Sequence, residues 1–425
     1  MRCGRASAAS TTVRGPVSVS LASVAVGRPV RGEFTYQVPS SMHGALRPGQ
    51  RILVPFGRGK SLGFYLGGAE REPEGDVALK PILAVLDDEP AVSDDVLALL
   101  RFAAQHYRYP LGEAIRAAMP PGLTQAERKA EPKPDVRRFA VAEPHAAPDA
   151  LTRAPAQSAA LSYLLAVGGR AELEELALAV PGARESVRKL TARGLIRLEE
   201  ERIQPGVREG LHHERPARLT PEQALAVDEV KAALDAGGYR PFLLHGVTGS
   251  GKTEVYLQSV EHALQLGRGS LILVPEIALT PQLVGRVRSR FGSQVAVLHS
   301  ALKDRERLLH WQALHRGEVR IAVGVRSAIW APVRDLGLLV VDEEHDPSFK
   351  QEEKLRYQAR DLAVVRARLR GATVVLGSAT PSLESLENAR RGRYRKIELR
   401  SRVDDRPMPA VSVIDLRLER PRTPE

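Results

Sequence analysis

Between Pro241 and Thr380 the sequence passes through a series of nearly continuous apolar stretches, "PFLLHG", "SLILVPE", "QVAVLH", "VRIAVGV", "GLLVVDEE" and "TVVLGSAT", each separated from the next by helical sequence. A strand with one wet face alternates apolar and polar residues. These do not alternate, so both of their faces must be covered, and the helical intervals supply the cover. The expected fold of this region is an α/β unit with a parallel, doubly wound sheet. With 425 residues, 43% of them hydrophobic, the chain can build further units with cores of their own.

Upstream the texture changes. From Val17 to about Pro90, short alternating runs such as "FTYQV", "QRILVPFG" and "LGFYLG" are punctuated by Gly and Pro, the pattern of a small β-barrel or sandwich. Val17, Val19 and Leu21 alternate with serines, which suits a strand better than a signal peptide. A helical stretch, "DDVLALLRFAAQHY", follows, and then the Pro-, Ala- and charge-rich "ERKAEPKPDVRRFAVAEPHAAPDALTRAPAQ" reads as a linker. Three helical runs and a strand between Ser158 and Gln204 suggest a winged-helix module, although small helical bundles share that order. The expected units are a disordered extension (1–16), the β-rich domain (17–115), a linker (116–154), the winged helix (155–206), the α/β lobe (216–415) and a short final stretch (416–425).

Charge points to a partner class. Lys and Arg number 62 against 51 Asp and Glu, a formal +11, which favours a polyanion, nucleic acid before membrane. No apolar run approaches the length of a membrane span, and a reducing cytoplasm fits. A single cysteine, Cys3, excludes a disulfide framework and a cysteine-built zinc site within this chain.

The chemistry-bearing motifs sit on the parallel sheet. "GVTGSGKT", Gly246, Val247, Thr248, Gly249, Ser250, Gly251, Lys252 and Thr253, lies between the strand "PFLLH" and the helix "EVYLQSVEHALQL", where a phosphate-binding loop must lie. Its backbone N–H groups would cradle phosphates, Lys252 would reach the β/γ oxygens, and the Thr253 hydroxyl would bind Mg²⁺. Asp342 and Glu343 follow "GLLVV" at the carboxyl end of a strand, the edge where open α/β sheets bind ligands. Asp342 would hold Mg²⁺, and Glu343 would orient and activate a water.

"DEEH" and "GSAT" behind a phosphate-binding loop resemble the nucleic-acid motors of helicase superfamily 2, with one RecA-like lobe in this chain. Gln223 in "LTPEQALAV" matches the position that reads adenine in many of them, implying ATP. "GVTGSGKTEVYL", "LVPEIALTPQ", "LHSALKDRERLLHW", "VRSAIWAP", "VVDEEHDPSFKQEEKLRYQARDLAVVRA" and "LGSATPSLESL" together resemble the family of primosomal replication-restart helicases, from about Val17 to the end of the chain. The resemblance implies coupling roles for His345, Ser378 and Thr380. It also implies an aromatic-rich loop that senses single-stranded DNA, with Phe349, Lys350, Arg356, Tyr357 and Arg360 as its contacts. Aromatic faces stack on any base, which suits such a role. Leu355 stands where a tryptophan is common in the family and Gln358 where a histidine is.

"GEFTYQVP", "RILVPFGRG" and "LKPILAVLDDEP" look like the family's 3′-DNA-binding domain, which implies a pocket of Phe34, Thr35, Tyr36, Gly57 and Lys80, with Thr35 replacing an aspartate of some members. The implied function is an ATP-dependent 3′-to-5′ DNA helicase. It would act as a monomer in the bacterial cytoplasm near the nucleoid, on forked and single-stranded DNA. The implied partners are primosome proteins, single-strand-binding protein and the machinery that loads the replicative helicase. A structure-specific DNA-binding scaffold is the alternative. The family's second RecA-like lobe and the zinc ligands it carries are not found in this sequence. The expectation is therefore of a fragment, or alternatively a natural short form, that binds fork and nucleotide without unwinding by itself.

Overall fold

The computed structural model describes residues 20–69, 78–125, 136–151, 154–202, 218–403 and 412; the stretches expected over 1–16 and 416–425 lie outside the described residues. In the first unit, β1 (Leu21–Val26), β2 (Phe34–Gln37), β3 (Arg51–Phe56), β4 (Gly59–Gly68) and β5 (Ala84–Val85) form an antiparallel sheet in the order β2-β1-β4-β3-β5. Residues Lys80–Leu83 then bridge β2, at one edge of the sheet, to β3 near the other. The Gln37 amide donates to Lys80 O at 3.0 Å, Ile82 N donates to Gln37 O at 3.0 Å, and Leu83 N donates to Leu53 O at 2.9 Å. The sheet thus closes into a small barrel, which satisfies edge groups that an open sheet would leave unpaired. Alternate residues, among them Val24, Val26, Tyr36, Ile52 and Val54, fill its interior. Helices α1 (Asp94–His106) and α2 (Leu111–Ala118) pack with Phe64 and Leu66 outside it, so the unit runs past the boundary expected at 115.

The second unit comprises β6 (Val136–Ala142), α3 (Pro155–Ala166), β7 (Arg170–Glu172), α4 (Leu173–Ala179), α5 (Ala183–Ala192) and β8 (Ile196–Arg202). Its sheet has the order β7-β6-β8, and Leu161, Leu164, Leu176, Val187 and Leu190 make the core beneath it. Strand β6 corrects the reading of 116–154 as a linker. Seven residues of β6 pair with β8, so cross-strand hydrogen bonds from distant sequence supply order that the local Pro- and charge-rich composition does not advertise.

The third unit runs α6 (Pro221–Ala236), β9 (Arg240–Gly246), α7 (Lys252–Gln265), β10 (Gly269–Leu273), α8 (Pro281–Phe291), β11 (Val295–Leu298), α9 (Asp304–Arg316), β12 (Ile321–Gly324), β13 (Leu336–Val341), α10 (Ala359–Arg370), β14 (Thr373–Ser378), α11 (Leu383–Arg390) and β15 (Arg395–Leu399). Every neighbouring pair in the seven-stranded order β11-β12-β10-β13-β14-β9-β15 is parallel. Leu339, Val341 and Leu376 enter the core on one face, while Leu338, Val340 and Val375 enter the core on the other, which is why these strands are apolar throughout. The register sets Leu273 beside Val341, Val341 beside Leu376 and Ser378 beside His245. One rim of the sheet therefore gathers the chain segments after β9, β13 and β14.

The barrel unit is docked on this lobe through α1 and α10. Arg366 is fully buried, and it pairs with Asp95 at 2.7 Å and donates to the carbonyls of Ile329 at 2.7 Å and Ala331 at 2.8 Å. Burial opposes the charge on Asp95, but Arg366 and the Ser93 hydroxyl hold its carboxyl below the usual aspartate range. A charge pair with all three guanidinium nitrogens engaged tolerates an interior that an unpaired charge would not.

Candidate functional site

Gly246 ends β9 and Lys252 opens α7, so the loop between them crosses the rim and hands the chain to a helix N-terminus. Gly249 and Gly251 hold φ values of 84° and 80°, a left-handed conformation that glycine adopts at little cost. A side chain on Gly251 would collide with the Gln223 amide. Lys252 is buried; its ammonium donates to Gly246 O at 3.0 Å and lies 3.4 Å from Glu343 Oε1. The Ser250 hydroxyl is buried without a hydrogen-bond partner. Such a loop offers backbone N–H groups, a helix dipole and one cation to a polyphosphate.

Asp342 and Glu343 face this loop. Asp342 Oδ1 accepts from the Tyr256 hydroxyl at 3.0 Å and from the Glu343 amide at 3.1 Å. Burial and the Glu343 charge push the Asp342 carboxyl above the ordinary aspartate range, while Tyr256, Lys252 and the Glu343 amide pull it back. Burial, reinforced by Asp342, pushes the Tyr256 hydroxyl well above its ordinary value. Glu343 sits at φ 44°, a strained setting for a residue with a side chain, of order 1–3 kcal/mol. The Glu344 amide bonded to Gly377 O at 3.0 Å and the Asp346 amide bonded to Glu343 O at 2.9 Å hold it there.

Together these groups border a cleft of about 610 Å³, lined by Val247 to Glu254, Asp342 and Glu343, with Arg286, Arg290 and Val403 at its margins. Thr253 and Asp342 both reach it, a hydroxyl and a carboxylate of the oxygen type that Mg²⁺ takes together with phosphate and water. Among the described residues, no group of three or more His, Cys, Asp or Glu is arranged to hold a metal on its own.

Gln223 is 3% exposed. Its carbonyl accepts from the Thr220 amide at 3.0 Å, closing a capping box at the start of α6, and its Nε2 donates to Ser250 O at 2.8 Å. It thus braces the loop from behind. On the other side of the acids, His345 Nδ1 lies 2.8 Å from Ser378 Oγ and its Nε2 lies 3.3 Å from Thr380 Oγ1, so the structure brings these three together. The Ala379 amide reaches Glu343 Oε2 at 3.4 Å.

The loop after the acids differs from expectation. Phe349 is fully buried, Tyr357 is 6% exposed, and Tyr357 meets Trp330 edge-on with ring centroids 5.1 Å apart. Both rings join the core that Leu355 and Trp330 share, so neither presents a face to solvent. Arg360 is also turned inward. Its guanidinium donates to Glu344 Oε2 at 3.2 Å and to Ser382 Oγ at 2.9 Å. Lys350 and Arg356 are exposed.

On the barrel, Phe34 packs edge-on against Phe56 at 5.3 Å between centroids, next to the exposed turn at Gly57, where φ is 58°. Thr35 is half-buried beside them on β2. Tyr36 is 5% exposed, with its hydroxyl donating to Pro55 O at 2.9 Å, so it belongs to the barrel interior. Lys80 is exposed, and its carbonyl pairs with Gln37 at the far end of β2 from Phe34.

Three residues that sequence reasoning passed over shape the site. Tyr256 follows Lys252 by one helical turn and so shares its face of α7. Thr220 is legible in hindsight as the first residue of the capping-box pattern "TPEQ". Glu344 is fully buried and accepts from Ser382 N at 2.7 Å, Ser382 Oγ at 3.1 Å, Ser385 Oγ at 2.9 Å and Arg360, a set no local pattern announces.

Residues 23–120 match the model of the PriA 3′DNA-binding domain, and residues 220–389 match the DEAD/DEAH box helicase model. The replication restart protein PriA of Bacillus subtilis is 33% identical over 95% of this chain and 58% of its own length. That of Haemophilus influenzae is 36% identical over 94% of this chain and 54% of its own length. The chain is similar to PriA proteins along nearly its whole length. A PriA from Synechocystis is 43% identical over a shorter part, 62% of this chain and 32% of that protein. The chain spans about half the length of the two longer-matching PriA relatives. Among the described residues no helix is long and apolar enough to cross a membrane.

Proposed function

We propose that the cleft between the glycine loop and the strand-end acids binds and hydrolyses ATP with Mg²⁺, serving an ATP-dependent 3′-to-5′ DNA helicase that restarts replication at stalled or abandoned forks. The observation that carries this reading is the placement of Lys252 3.4 Å from Glu343, on the same rim as Asp342. A γ-phosphate drawn in by Lys252 would sit beside the carboxylate able to orient and deprotonate an attacking water. When bound, Mg²⁺ neutralises developing charge on the phosphates, with Thr253 and Asp342 to hold it. Asp342 must be ionised for that role, and the Tyr256 hydroxyl favours its ionised form. His345, Ser378 and Thr380 form a contact between the acids and the turn after β14, a route by which hydrolysis could be felt beyond the cleft.

The same reading assigns DNA to two surfaces. The barrel would take the 3′ end of a nascent leading strand near Phe34, Thr35 and Gly57, with Lys80 attracting the backbone, while Lys350 and Arg356 contact single-stranded DNA near the cleft. Primosome proteins, single-strand-binding protein and the helicase-loading machinery would be its partners in the bacterial cytoplasm. Zinc would be held by parts of PriA proteins to which this chain contributes no ligands.

Calorimetric titration with ADP–Mg²⁺ tests the core of this reading. Lys252→Ala should weaken binding about 10²-fold, the order expected on losing charge-assisted hydrogen bonds to phosphate. Unchanged affinity would remove the cleft as the nucleotide site. For the DNA half, a fork with a free 3′ leading end should bind more tightly than one whose 3′ end carries a phosphate. Equal affinities would leave only generic phosphate attraction, which fades steeply with salt.

A further inference from the structure

Strand β15 lies beside β9, so the chain leaving it passes along the rim occupied by the phosphate loop. It is pinned there at both ends. Val247 N donates to Leu399 O at 3.2 Å, and Val403 N donates to Gly249 O at 3.1 Å. Between these points the amides of Arg400 and Ser401 donate to Glu222 Oε2 at 2.8 and 3.2 Å, and Glu222 is the neighbour of Gln223 in the first turn of α6. The stem of Arg402 packs against Gly249. Val403 is 50% exposed and lines the cleft, and its Cγ2 lies 3.1 Å from where a Cβ on Gly251 would stand, a place the Gln223 amide also approaches.

The cleft therefore has two unlike ends. One carries Lys252, Asp342 and Glu343 and suits the phosphates. The other is bordered by Val403 and Gly251, with the buried Gln223 amide behind Gly251. The Gln223 amide is already engaged at both its oxygen and its nitrogen by Thr220 and Ser250, and it is 3% exposed, so contact with a base at that end falls largely to other groups. Resting on the reading of the cleft as an ATP site, we propose that residues Arg400–Val403 form the base-side wall of the nucleotide pocket, with Val403 packing on the purine face. A flat aromatic ring gains by displacing water from an apolar side chain, and the three hydrogen bonds that pin the segment to the loop and α6 set that side chain in place beforehand.

The test uses the whole chain, titrated with ADP–Mg²⁺ and separately with inorganic triphosphate–Mg²⁺, which lacks a base. Val403→Asp should weaken ADP about tenfold, the order expected on losing a half-buried valine contact, and leave triphosphate affinity unchanged. Val403→Ile, which keeps the apolar face, should retain ADP affinity. Backbone amide exchange in the 400–403 segment should slow with ADP and not with triphosphate. ADP affinity that survives Val403→Asp in a protein of unchanged melting temperature would overturn the wall. So would equal loss of both ligands, or equal protection by both. Failure of the wild-type chain to bind either ligand would instead sink the proposed nucleotide site itself.

Discussion

The phosphate loop and the loop that follows Glu343 share one rim of one sheet, and both carry residues whose types suggest a ligand. Their fates differ. In the first, the working parts are backbone: glycines at φ values near 80° and a helix N-terminus, which act the same way whatever packs around them. In the second, the working parts would be rings, and a ring is useful to DNA only if it is exposed. Phe349 and Tyr357 instead complete a core with Trp330 and Leu355. A motif made of backbone conformation survives translation from sequence to structure; a motif made of large apolar side chains competes with the demand to bury them.

That contrast can be broken by substitution. Phe349→Ala should cost about 3–5 kcal/mol of stability, as a large buried ring replaced by a cavity does. Denaturant unfolding measures it. If stability holds while single-strand affinity collapses, the ring is a DNA contact after all. Arg360→Ala should cost about 1.5–3 kcal/mol, because it strips a charged donor from the buried Glu344 carboxylate. A variant of normal stability with weakened DNA binding would return Arg360 to the surface role.

Two smaller effects sharpen the picture at the acids and on the exposed side of the loop. The raised Asp342 carboxyl takes up a proton at higher pH than an ordinary aspartate, so ADP–Mg²⁺ affinity should begin to fall on acidification above the usual aspartate range. Tyr256→Phe removes a donor that favours the ionised form, a change worth about 1 kcal/mol, and should move that fall to still higher pH. Superimposable pH profiles for the two proteins would disprove the link. Smallest of all, Arg356→Ala should change stability by less than about 0.5 kcal/mol. Its mark should be a salt dependence of DNA binding shallower by about one unit of log–log slope. An unaltered slope would take Arg356 off the DNA surface.

The site was unevenly legible. Gly246 to Thr253 could be placed because a strand, a glycine-rich turn and a helix in succession permit few geometries. Asp342 and Glu343 could be placed because they end a strand buried on both faces. Gln223, expected at the adenine-reading position, stands behind the loop with its amide serving Thr220 and Ser250. Val403 could not be foreseen as a cleft residue, since its position follows from β15 docking beside β9, a pairing between strands more than a hundred residues apart. Strand β6 was hidden for the same reason, its partner β8 being some sixty residues away in a different compositional setting.

The sequence by itself determined the parallel sheet, its glycine-rich loop before α7 and the rim on which the acids stand. These depend on periodicity and backbone conformation, which are properties of neighbours in the chain. Only the tertiary structure decided which of the charged and aromatic side chains around that rim remain available. Arg366 and Asp95 disappear together into the contact between barrel and lobe, Glu344 and Arg360 into the turn after β14, and Phe349 and Tyr357 into the core. Availability is decided by packing between distant segments: burying a ring gains hydrophobic free energy, and burying a charge is tolerated where a fixed partner stands ready, and neither condition can be read from the residue's own surroundings in sequence.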